Sequence, residues 1–418
     1  MKEPKIRFKG FKGEWENTPF SETFDSLKNN SLSRAELSDS GEVMNIHYGD
    51  VLIKYGECVD VIKEVETFVK DEEVAKKLHQ SCAIKNGDVI FADAAEDNTV
   101  GKCSEVIANE NDAIVSGLHT IACRPKKDFA PMYLGYYLNS NAYHDQLLPH
   151  IQGTKISSIS KKAISQTHIN SPLEKDEQQS IASYFQHLDA LIQSTTKKIE
   201  SLKQVKAASL QSMFPQEGET TPRVRFKGFV CQWKKVRLSE ILVERHESST
   251  ITLELPQLSF TIADGVISPE DRKSNQRDFL IKDKDNKRYL VTRVGDIIYN
   301  PANVVYGAIH RNSLIDGVVS PIYRIFSTEQ DSRFMECVVR RPSFISKLAM
   351  KTEGTVTKLK TLKPEAFLDM TVCIPTDVVE QKMIGEYFTS LDRQITLQSQ
   401  RLEKLKQIKA ACLDNMFV

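Results

Sequence analysis

Two similar stretches, EQQSIASYFQHLD at 177–189 and EQKMIGEYFTSLD at 380–392, decide how this chain folds. They continue at a constant offset of 203 residues into SLKQVKAASLQSMF at 201–214 and KLKQIKAACLDNMF at 404–417. Apolar residues recur through both stretches at steps of three and four, which is the pattern of a coiled coil. The predicted seam residues are Ile181, Phe185, Leu188, Ile192, Ile199 and Leu202 in the first copy and Ile384, Phe388, Leu391, Ile395, Leu402 and Leu405 in the second, and the pattern extends to Val205 and Ile408.

The two copies predict two long helices. Each runs for 38 residues, 177–214 and 380–417, and a helix of that length is about 57 Å long. Such a helix with a single apolar stripe needs a partner, and the two copies can supply each other, antiparallel if a two-fold relates the halves. Thr195 and Gln398 interrupt the two seams at equivalent places. They either fix the register of pairing or are tolerated defects that leave room for an added helix.

The repeat extends outward from the helices over the whole chain. PKIRFKGF at 4–11 matches PRVRFKGF at 222–229, and Trp15 matches Trp233. Further matches pair GDVIF (87–91) with GDIIY (295–299), IVSG (114–117) with VVSP (318–321), and QGT (152–154) with EGT (353–355). The chain is therefore two copies of one unit.

Short apolar runs broken by Gly, Asp and Asn precede each long helix and indicate strands and turns. The expected fold class is α+β, with two similar globular domains separated by two long antiparallel coiled-coil helices in a pseudo-two-fold internal repeat. The expected boundaries are 1–176 for the first domain, 177–216 for the central helix, 217–379 for the second domain and 380–418 for the C-terminal helix.

Composition excludes some functions and leaves others open. Lys plus Arg and Asp plus Glu each number 56 in 418 residues, so no basic excess indicates a nucleic-acid partner, although local clusters can still bind phosphates. The sequence contains neither a secretory signal nor an apolar run long enough for a membrane span. The eight cysteines are scattered, which favours reduced thiols in a cytoplasmic protein without a metal site. There is no phosphate-binding loop of an ATP-driven motor.

Two loops carry polar and basic side chains of the kind that could contact a nucleic acid, because base readout needs fork-shaped or amide side chains beside Lys, Ser or Thr. The segment QGTKISSISKK and its counterpart EGTVTKLKTLK carry such groups, and we call these two segments the GT loops. The candidates are Gln152, Thr154, Lys155, Ser157, Ser158, Lys161 and Lys162 in the first GT loop, and Thr355, Thr357, Lys358, Lys360 and Lys363 in the second. The alternative is a solvated loop ahead of the helix.

Other candidates follow the matched strands. They are Asn98 with Lys102, Asn303 with Tyr306, and the pair His119 and Arg324. Ordinary turn chemistry and strand packing are the competing interpretations. RFKGF resembles a basic-aromatic nucleic-acid patch, but we expect its aromatic residues to anchor the edge of each domain. The lysines of the central helix at 197, 198, 203 and 206 are expected on a solvated face or against partner subunits or phosphates.

Taken together, the pattern resembles the specificity subunit of type I restriction-modification enzymes across essentially the whole chain. The resemblance rests on RFKGF with its tryptophan, the GT loop, and the Pro-x4-Glu-Gln junction at Pro172 and Pro375, each occurring twice and in order. It implies a non-catalytic DNA reader whose two target-recognition domains each bind half of a split, asymmetric sequence. The helices would space the half-sites and dock two methyltransferase subunits, and restriction motor subunits would join that core. Methyl donor, ATP and Mg²⁺ would be bound only by those partners.

The physical argument agrees with this resemblance, since two similar domains on a rigid helix pair form a ruler for a duplex that repeats about every 34 to 36 Å. Two other classes of protein stay open. One is an interaction scaffold with two ligand-binding domains on a coiled-coil strut and no DNA. The other is a nuclease that cuts without partners. We expect the chain to work in the cytoplasm with double-stranded DNA and without a membrane.

Overall fold

The computed structural model describes residues 3–153, 155–272, 287–353 and 360–418. Four predicted DNA contacts, Thr154, Thr355, Thr357 and Lys358, lie outside the described residues. The chain forms two compact units. The first contains the residues up to Thr196 together with Gln400–Val418, and the second is Lys197–Ser399. Each unit thus takes in residues from both halves of the repeat.

The first unit is built on two small mixed sheets. Its strands are β1 (Glu16–Pro19), β2 (Phe24–Ser26), β3 (Leu37–Ser38), β4 (Met44–Ile46), β5 (Cys58–Asp60), β6 (Phe68–Val69), β7 (Val89–Ala92), β8 (Ala94–Ala95), β9 (Cys103–Ile107), β10 (Ile114–Ser116), β11 (Thr120–Pro125), β12 (Ser157–Ser158) and β13 (His168–Ser171). The larger sheet has the order β2-β11-β7-β9-β5 and the other has the order β10-β4-β6-β3, while β1 pairs with β13 and β8 with β12. The pairs β5 with β9 and β10 with β4 are parallel, and the other pairs are antiparallel.

Helices pack on both sheets of this unit. They are α1 (Phe20–Thr23), α2 (Tyr48–Ile53), α3 (Val61–Glu64), α4 (Glu72–Cys82), α5 (Tyr133–Leu138), α6 (Asn141–His144), α7 (Lys161–Ile164) and, up to Thr196, the long α8 (Lys175–Ser212). Alternate residues of β7 enter different clusters, since Val89 and Phe91 pack with the tyrosines of α5 and Ile90 and Ala92 pack with the residues around α2. The GDVIF match is therefore a strand that is buried on both faces.

The second unit repeats this plan with shorter sheets. Its strands are β14 (Lys234–Arg237), β15 (Val243–Glu244), β16 (Ser248–Ser249), β17 (Ser259–Thr261), β18 (Gly265–Ile267), β19 (Tyr289–Thr292), β20 (Ile297–Tyr299), β21 (Ile309–Arg311), β22 (Gly317–Val319), β23 (Arg324–Ser327) and β24 (Thr371–Ile374). The sheets have the orders β15-β23-β20-β21 and β16-β19-β22, and β17 pairs with β18 and β14 with β24. The helices are α9 (Ser332–Arg340), α10 (Pro342–Met350), α11 (Pro364–Leu368) and α12 (Val378–Asn415).

The Gly-Asp pair before β7 and β20 forms the same turn in both units. Gly87 and Gly295 have φ values of +81° and +101°, a region that favours glycine. Asp88 accepts from the Lys85 N–H at 2.7 Å and from the Arg124 guanidinium at 2.8 and 2.7 Å. Asp296 repeats this arrangement with Arg293 and Arg245. The arginine lies on β11 in one unit and directly after β15 in the other, so the motif is kept while the segment that supplies its partner changes.

The two long helices, α8 and α12, contain 38 residues each, and each begins two residues before its predicted start. Within the first unit, Lys409 Nζ lies 2.6 Å from Asp189 and Cys412 Sγ lies 3.4 Å from the Tyr184 hydroxyl. Within the second unit, Ser209 lies 2.9 Å from the Tyr387 hydroxyl, and Lys206 pairs with Asp392. In both units the residue numbers of α8 increase along the contacts while those of α12 decrease, so the two helices pair antiparallel, as predicted.

Burial supports most of the predicted seam. The buried members are Ile181, Phe185, Leu188, Ile199, Leu202, Ile384, Phe388 and Leu391. Partly buried members are Ile192, Ile395, Leu402 and Leu405. Val205 and Ile408 are exposed, so the seam stops short of the extension that periodicity predicts. Thr195 is buried, and its hydroxyl donates to the Leu191 main-chain oxygen at 2.7 Å, so the helix itself satisfies this polar seam residue.

The aromatic residues of the RFKGF segments anchor the domain edge as predicted, since Phe8 and Phe226 pack against the two cores in which Trp15 and Trp233 are buried. The arginines of the same segments form ion pairs. Arg7 binds both carboxylate oxygens of Glu177 at 2.7 and 2.8 Å, and Arg225 binds Glu380 at 2.5 and 2.7 Å. These two carboxylates lie in the first turn of α8 and α12 and are almost fully buried. The Pro-x4-Glu-Gln junction therefore has a physical role, because the arginine neutralises its glutamate.

The glutamine of each junction closes the same corner. Gln178 donates to the Pro172 oxygen at 2.9 Å and accepts from the Ala130 N–H at 3.0 Å. Gln381 makes the corresponding bonds to Pro375 and the Asp331 N–H. Each glutamine amide thus supplies a hydrogen-bond donor to the main-chain oxygen of the proline. That oxygen lies in the extended segment before the helix, where no helical N–H can reach it.

Candidate nucleic-acid interface

The first GT loop is closed by a pair of main-chain hydrogen bonds. The Gln152 N–H donates to the Ser158 oxygen at 3.0 Å, and the Ser158 N–H donates to the Gln152 oxygen at 2.8 Å. Gly153 has φ +107°, and a Cβ there would lie 2.0 Å from the Ile156 oxygen, so only glycine fits. The closed loop presents the exposed side chain of Lys155.

The second GT loop is closed in the same way. Glu353 and Thr361 exchange main-chain hydrogen bonds of 3.1 and 3.0 Å at the positions equivalent to Gln152 and Ser158. Lys360 is exposed. Lys363 forms an exposed ion pair of 2.7 Å with Glu353, which raises the pKa of the lysine. Glu353, which stands at the position of Gln152, therefore forms an ion pair with Lys363, one of the predicted DNA-binding lysines.

Each GT loop is tied to the segment that follows the Gly-Asp strand. The Ile159 N–H donates to the Asp93 oxygen at 2.9 Å, and the Leu362 N–H donates to the Pro301 oxygen at 3.0 Å. In the first unit, β12 also pairs with β8, which places Ser157 and Ser158 opposite Ala95 and Ala94. Two loops that are far apart in sequence thus lie side by side in each unit. The GT loop and the loop after the Gly-Asp strand, which adjoin in both units, form the candidate interface.

His119 joins this site in the first unit. Its main-chain oxygen accepts from the Asp93 N–H at 3.0 Å, and its Nδ1 lies 3.1 Å from Asp93 Oδ1. The residue has φ +54°, which is uncommon for a side chain other than glycine and occurs often at binding sites. The half-exposed ring packs edge-on against Tyr48 at 5.2 Å. The structure thus brings the predicted residue His119 together with Asp93, which the sequence did not single out.

A cavity of about 440 Å³ opens beside this pair. Asp93 and His119 form one wall, Asn29 and Asn30 form another, and α4 supplies apolar residues. The Asn30 amide is buried and donates to Asn45 Oδ1 at 2.8 Å and to the Ser116 oxygen at 2.9 Å. Such a recess of amide, carboxylate and imidazole groups can accept the donor and acceptor pattern of a base edge.

Asn98 and Lys102 separate in the structure. Asn98 is exposed on the loop between β8 and β9. Lys102 points inward instead, and its ammonium donates to the main-chain oxygens of Leu52 and Tyr55 at 3.0 and 2.9 Å. Burial lowers the pKa of this lysine. Lys102 is therefore engaged at the end of α2 and not presented on the loop, contrary to the expectation from sequence.

The candidates at the start of α7 face solvent. Lys161 and Lys162 are both exposed, and Lys161 Nζ donates to the Leu27 oxygen at 3.1 Å. Ser160 caps this short helix by accepting from the Ala163 N–H at 3.1 Å. Lys162 has no ion pair among the described residues, so its charge is available to a ligand.

In the second unit, Asn303 and Tyr306 occupy the loop after β20. The Asn303 main-chain oxygen accepts from the Tyr306 N–H at 3.0 Å, and Gly307 follows with φ +87°. The Tyr306 ring is 72% exposed, which is unusual for a large aromatic side chain without a partner. Arg324 lies on β23 with its guanidinium 3.6 Å from Glu244, so part of its charge is neutralised.

Within the described ranges, no group of three or more His, Cys, Asp or Glu side chains is placed to hold a metal ion. None of the helices there is both long and apolar enough to cross a membrane. The lysines on the central helix have mixed roles, because Lys206 pairs with Asp392 whereas Lys197, Lys198 and Lys203 are exposed.

Sequence reasoning missed Asp93, Asn29 and Asn30. A usable signal was present, since Asp93 follows the strand GDVIFA directly and the asparagines follow β2 in a polar run. Their proximity depends on strand order in the sheet, which the sequence does not state.

Residues 12–204 match the family model described as type I restriction modification DNA specificity domain. No curated protein matches the chain significantly. Among solved structures, the type I restriction-modification system S subunit from M. genitalium has a TM-score of 0.60 at 13% identity, over 100% of this chain and 99% of that chain. The HsdS subunit from Thermoanaerobacter tengcongensis has a TM-score of 0.44 at 14% identity, over 100% and 99%.

The similarity to the first of these structures concerns the fold, since its identity is low. The family match covers one copy of the repeat, and the second copy keeps the same Gly-Asp turn, GT-loop closure and arginine–glutamate pair. Residues 12–204 therefore belong to the family of type I restriction modification DNA specificity domains.

Proposed function

We propose that each globular domain reads one half of a bipartite, asymmetric DNA target through its GT loop and the neighbouring post-strand loop. The observation that carries this proposal is the closure of both GT loops at equivalent positions beside the loop after the Gly-Asp strand. The scaffold of the site is the same in both copies. Its side chains differ, with the exposed His119 and the partly buried Asp93 in one unit and the exposed Tyr306 and the partly buried Asn303 in the other. Different side chains on one scaffold favour different half-sites.

The long helices would set the distance between the half-sites and dock two methyltransferase subunits, with restriction subunits joining the complex. In this proposal the chain itself is non-catalytic. The partners supply methyl transfer and ATP-dependent cleavage, and they bind the methyl donor, ATP and Mg²⁺. Flipping the target base into a methyltransferase pocket also falls to the partner.

A salt titration of DNA binding tests the interface. Lys155 and Lys162 are exposed and have no ion pair among the described residues. Both lysines are replaced with Gln in the complex with the methyltransferase subunits. The negative slope of log K against log salt should become shallower by about 2, since each lost phosphate contact removes about 0.9 from its magnitude. Binding should weaken on target and scrambled duplexes alike.

The matched control is a double Gln variant of Lys70 and Lys85, which are exposed in the same unit but outside the GT loop and the cavity. It changes net charge equally and should leave the slope close to that of the wild type. If both double variants make the slope shallower to the same extent, the GT loop is not the contact. If the unaltered complex prefers no bipartite duplex over scrambled DNA, the interaction scaffold without DNA becomes the better description.

The independence of the two readers has its own test. Exchanging residues 222–379 with those of a relative should change one half of the methylated sequence, as mapped by sequencing modified adenines. A change in both halves would contradict separate reading by the two domains.

A further inference from the structure

The second unit contains a cavity of about 660 Å³ that lies away from its GT loop. The end of α8, the segment 215–219, strands β14 and β24 and the start of α10 line it. Leu210, Phe344 and Val372 supply apolar walls, and Arg341 and Lys235 supply positive charge. A volume of this size is typical of sites for small molecules.

Arg341 is partly buried and differs from two other partly buried arginines of this unit. Arg225 and Arg245 each bind a carboxylate through two nitrogens. The Arg341 guanidinium lies 4.7 Å from the ring centre of Phe214, and its Nε reaches only the Val338 oxygen at 3.5 Å. In the part of the chain that the structure describes, no acceptor binds its two terminal nitrogens. Desolvation lowers the pKa of this partly buried arginine, because it disfavours the charged form, and no carboxylate among the described residues compensates it.

Two lysines add to this charge. Lys235 is exposed and has no ion pair among the described residues. Lys347 pairs with the strongly exposed Glu217 at 3.1 Å, a contact that water screens. Burial raises the pKa of the Cys373 thiol, against the opposing effect of Lys235 and Arg341, so this neighbouring group stays neutral and does not balance the cations.

The first unit shows how the equivalent strand pair is arranged without cations. The pairing of β1 with β13 sets Asn17 opposite Asn170, as β14 and β24 set Lys235 opposite Cys373. Asn17 donates to Asn170 at 2.5 Å, and Asn170 donates to the Val418 oxygen at 2.9 Å. The residue equivalent to Arg341, counted from the GT loops, is the buried Ser140.

The first copy therefore closes this corner with two amides and the Val418 oxygen, whereas the second copy lines it with three cations. Among the described residues, only Lys347 of these three has a carboxylate partner, the exposed Glu217, while Glu219, the other carboxylate of the lining, pairs with Arg223.

We propose that the cavity of the second unit binds a phosphate group. The guanidinium fork of Arg341 matches the geometry of phosphate oxygens, and Lys235 and Lys347 act as point charges beside it. The volume exceeds that of phosphate alone, so the apolar walls would hold the body of a nucleotide to which the phosphate is attached.

Binding of inorganic phosphate to the full-length chain, measured by calorimetry at an ionic strength matched with chloride, tests this site. Replacing Arg341 with Met should weaken the affinity roughly tenfold or more, because charge-assisted hydrogen bonds are lost. The matched control is Arg237→Gln on β14, where the side chain is exposed and outside the cavity. It should bind phosphate like the wild type.

Thermal unfolding separates lost binding from lost folding. Without phosphate, Arg341→Met should melt no lower than the wild type, since it removes a partly buried charge that has no carboxylate partner among the described residues. Added phosphate should raise the melting temperature of the wild type and of Arg237→Gln only. Equal stabilisation of wild type and Arg341→Met, or no stabilisation of either, would overturn the proposal.

Competition identifies the source of the phosphate. Displacement of bound phosphate by a short scrambled duplex assigns the site to the DNA backbone, and displacement by a nucleoside monophosphate alone assigns it to a free nucleotide. No target sequence is present in these measurements, so their failure would leave the reading of a bipartite target intact.

Discussion

Replacing Glu105 with Gln should remove a pH dependence from the stability of the first unit. Glu105 lies on β9, is 3% exposed, and has no cation partner among the described residues. Its carboxylate accepts from the Met132 N–H at 2.6 Å and from the Gly135 N–H at 2.8 Å at the start of α5. Burial raises its pKa to about 7 in spite of these hydrogen bonds.

The direction of the effect follows from proton binding. Between a pKa near 4.5 in the unfolded chain and about 7 in the folded unit, the folded state retains a proton that the unfolded state releases. Stability contributed by Glu105 is complete below pH 4.5, is lost as pH rises, and is gone above about pH 7. The difference corresponds to about 3 kcal/mol of unfolding free energy, at 1.36 kcal/mol for each pH unit.

Hydrogen exchange in increasing urea, read by mass spectrometry, measures this unit separately. Peptides covering β9 and α5 report the first unit, and peptides covering β20 and β21 report the second as an internal reference. From pH 5 to 8 the wild-type first unit should lose about 3 kcal/mol more than Glu105→Gln does. At pH 5 the variant should itself be less stable, because its amide cannot accept from both N–H groups.

Glu110→Gln is the matched control, since this carboxyl is exposed in the same unit. It should retain the wild-type dependence on pH. A Glu105→Gln variant whose first unit loses stability with pH as steeply as the wild type would refute the assignment of the proton to Glu105.

Three further outcomes are expected. Phe417→Ala should destabilise the first unit by about 3 to 5 kcal/mol in the same exchange measurement, because the ring fills a core beside Phe185 and Tyr133, and the second unit should be unaffected. Glu380→Gln should lower the stability of the second unit by about 3 kcal/mol or more, measured by urea denaturation, since Arg225 loses its buried partner. Lys409→Met should lower the melting temperature of the first unit by several degrees, as followed by calorimetry, because Glu57 and Asp189 both bind this ammonium.

The sequence predicts those parts of the fold that depend on patterns among neighbouring residues and that occur in both copies of the repeat. Periodicity finds α8 and α12, and the repeated Gly-Asp pair finds β7 and β20, because steps of three and four, or a turn residue before a short apolar run, need only neighbouring residues. The matching offsets of the two helices also predict that they pair with each other, which the contacts within both units support.

Contacts that depend on strand order escape this reasoning. Lys102 is a basic residue near a Gly-containing loop and was predicted to contact DNA, yet its ammonium donates to the main-chain oxygens of Leu52 and Tyr55. The Arg124 partner of Asp88 and the Arg245 partner of Asp296 come from different segments, so no fixed spacing reveals them. Burial and long-range pairing, which decide these roles, are properties of the packed sheet.

The way each GT loop is held explains how two readers can share one scaffold and still differ in sequence. Main-chain hydrogen bonds close the loop and fix it to the oxygen of Asp93 in one unit and of Pro301 in the other. A main-chain bond does not depend on which side chain the residue carries, apart from proline's missing donor. The exposed side chains of both loops can therefore change without moving the loop. Divergence between the copies then alters the chemistry presented to a ligand while its placement is kept, as separate recognition of two half-sites requires.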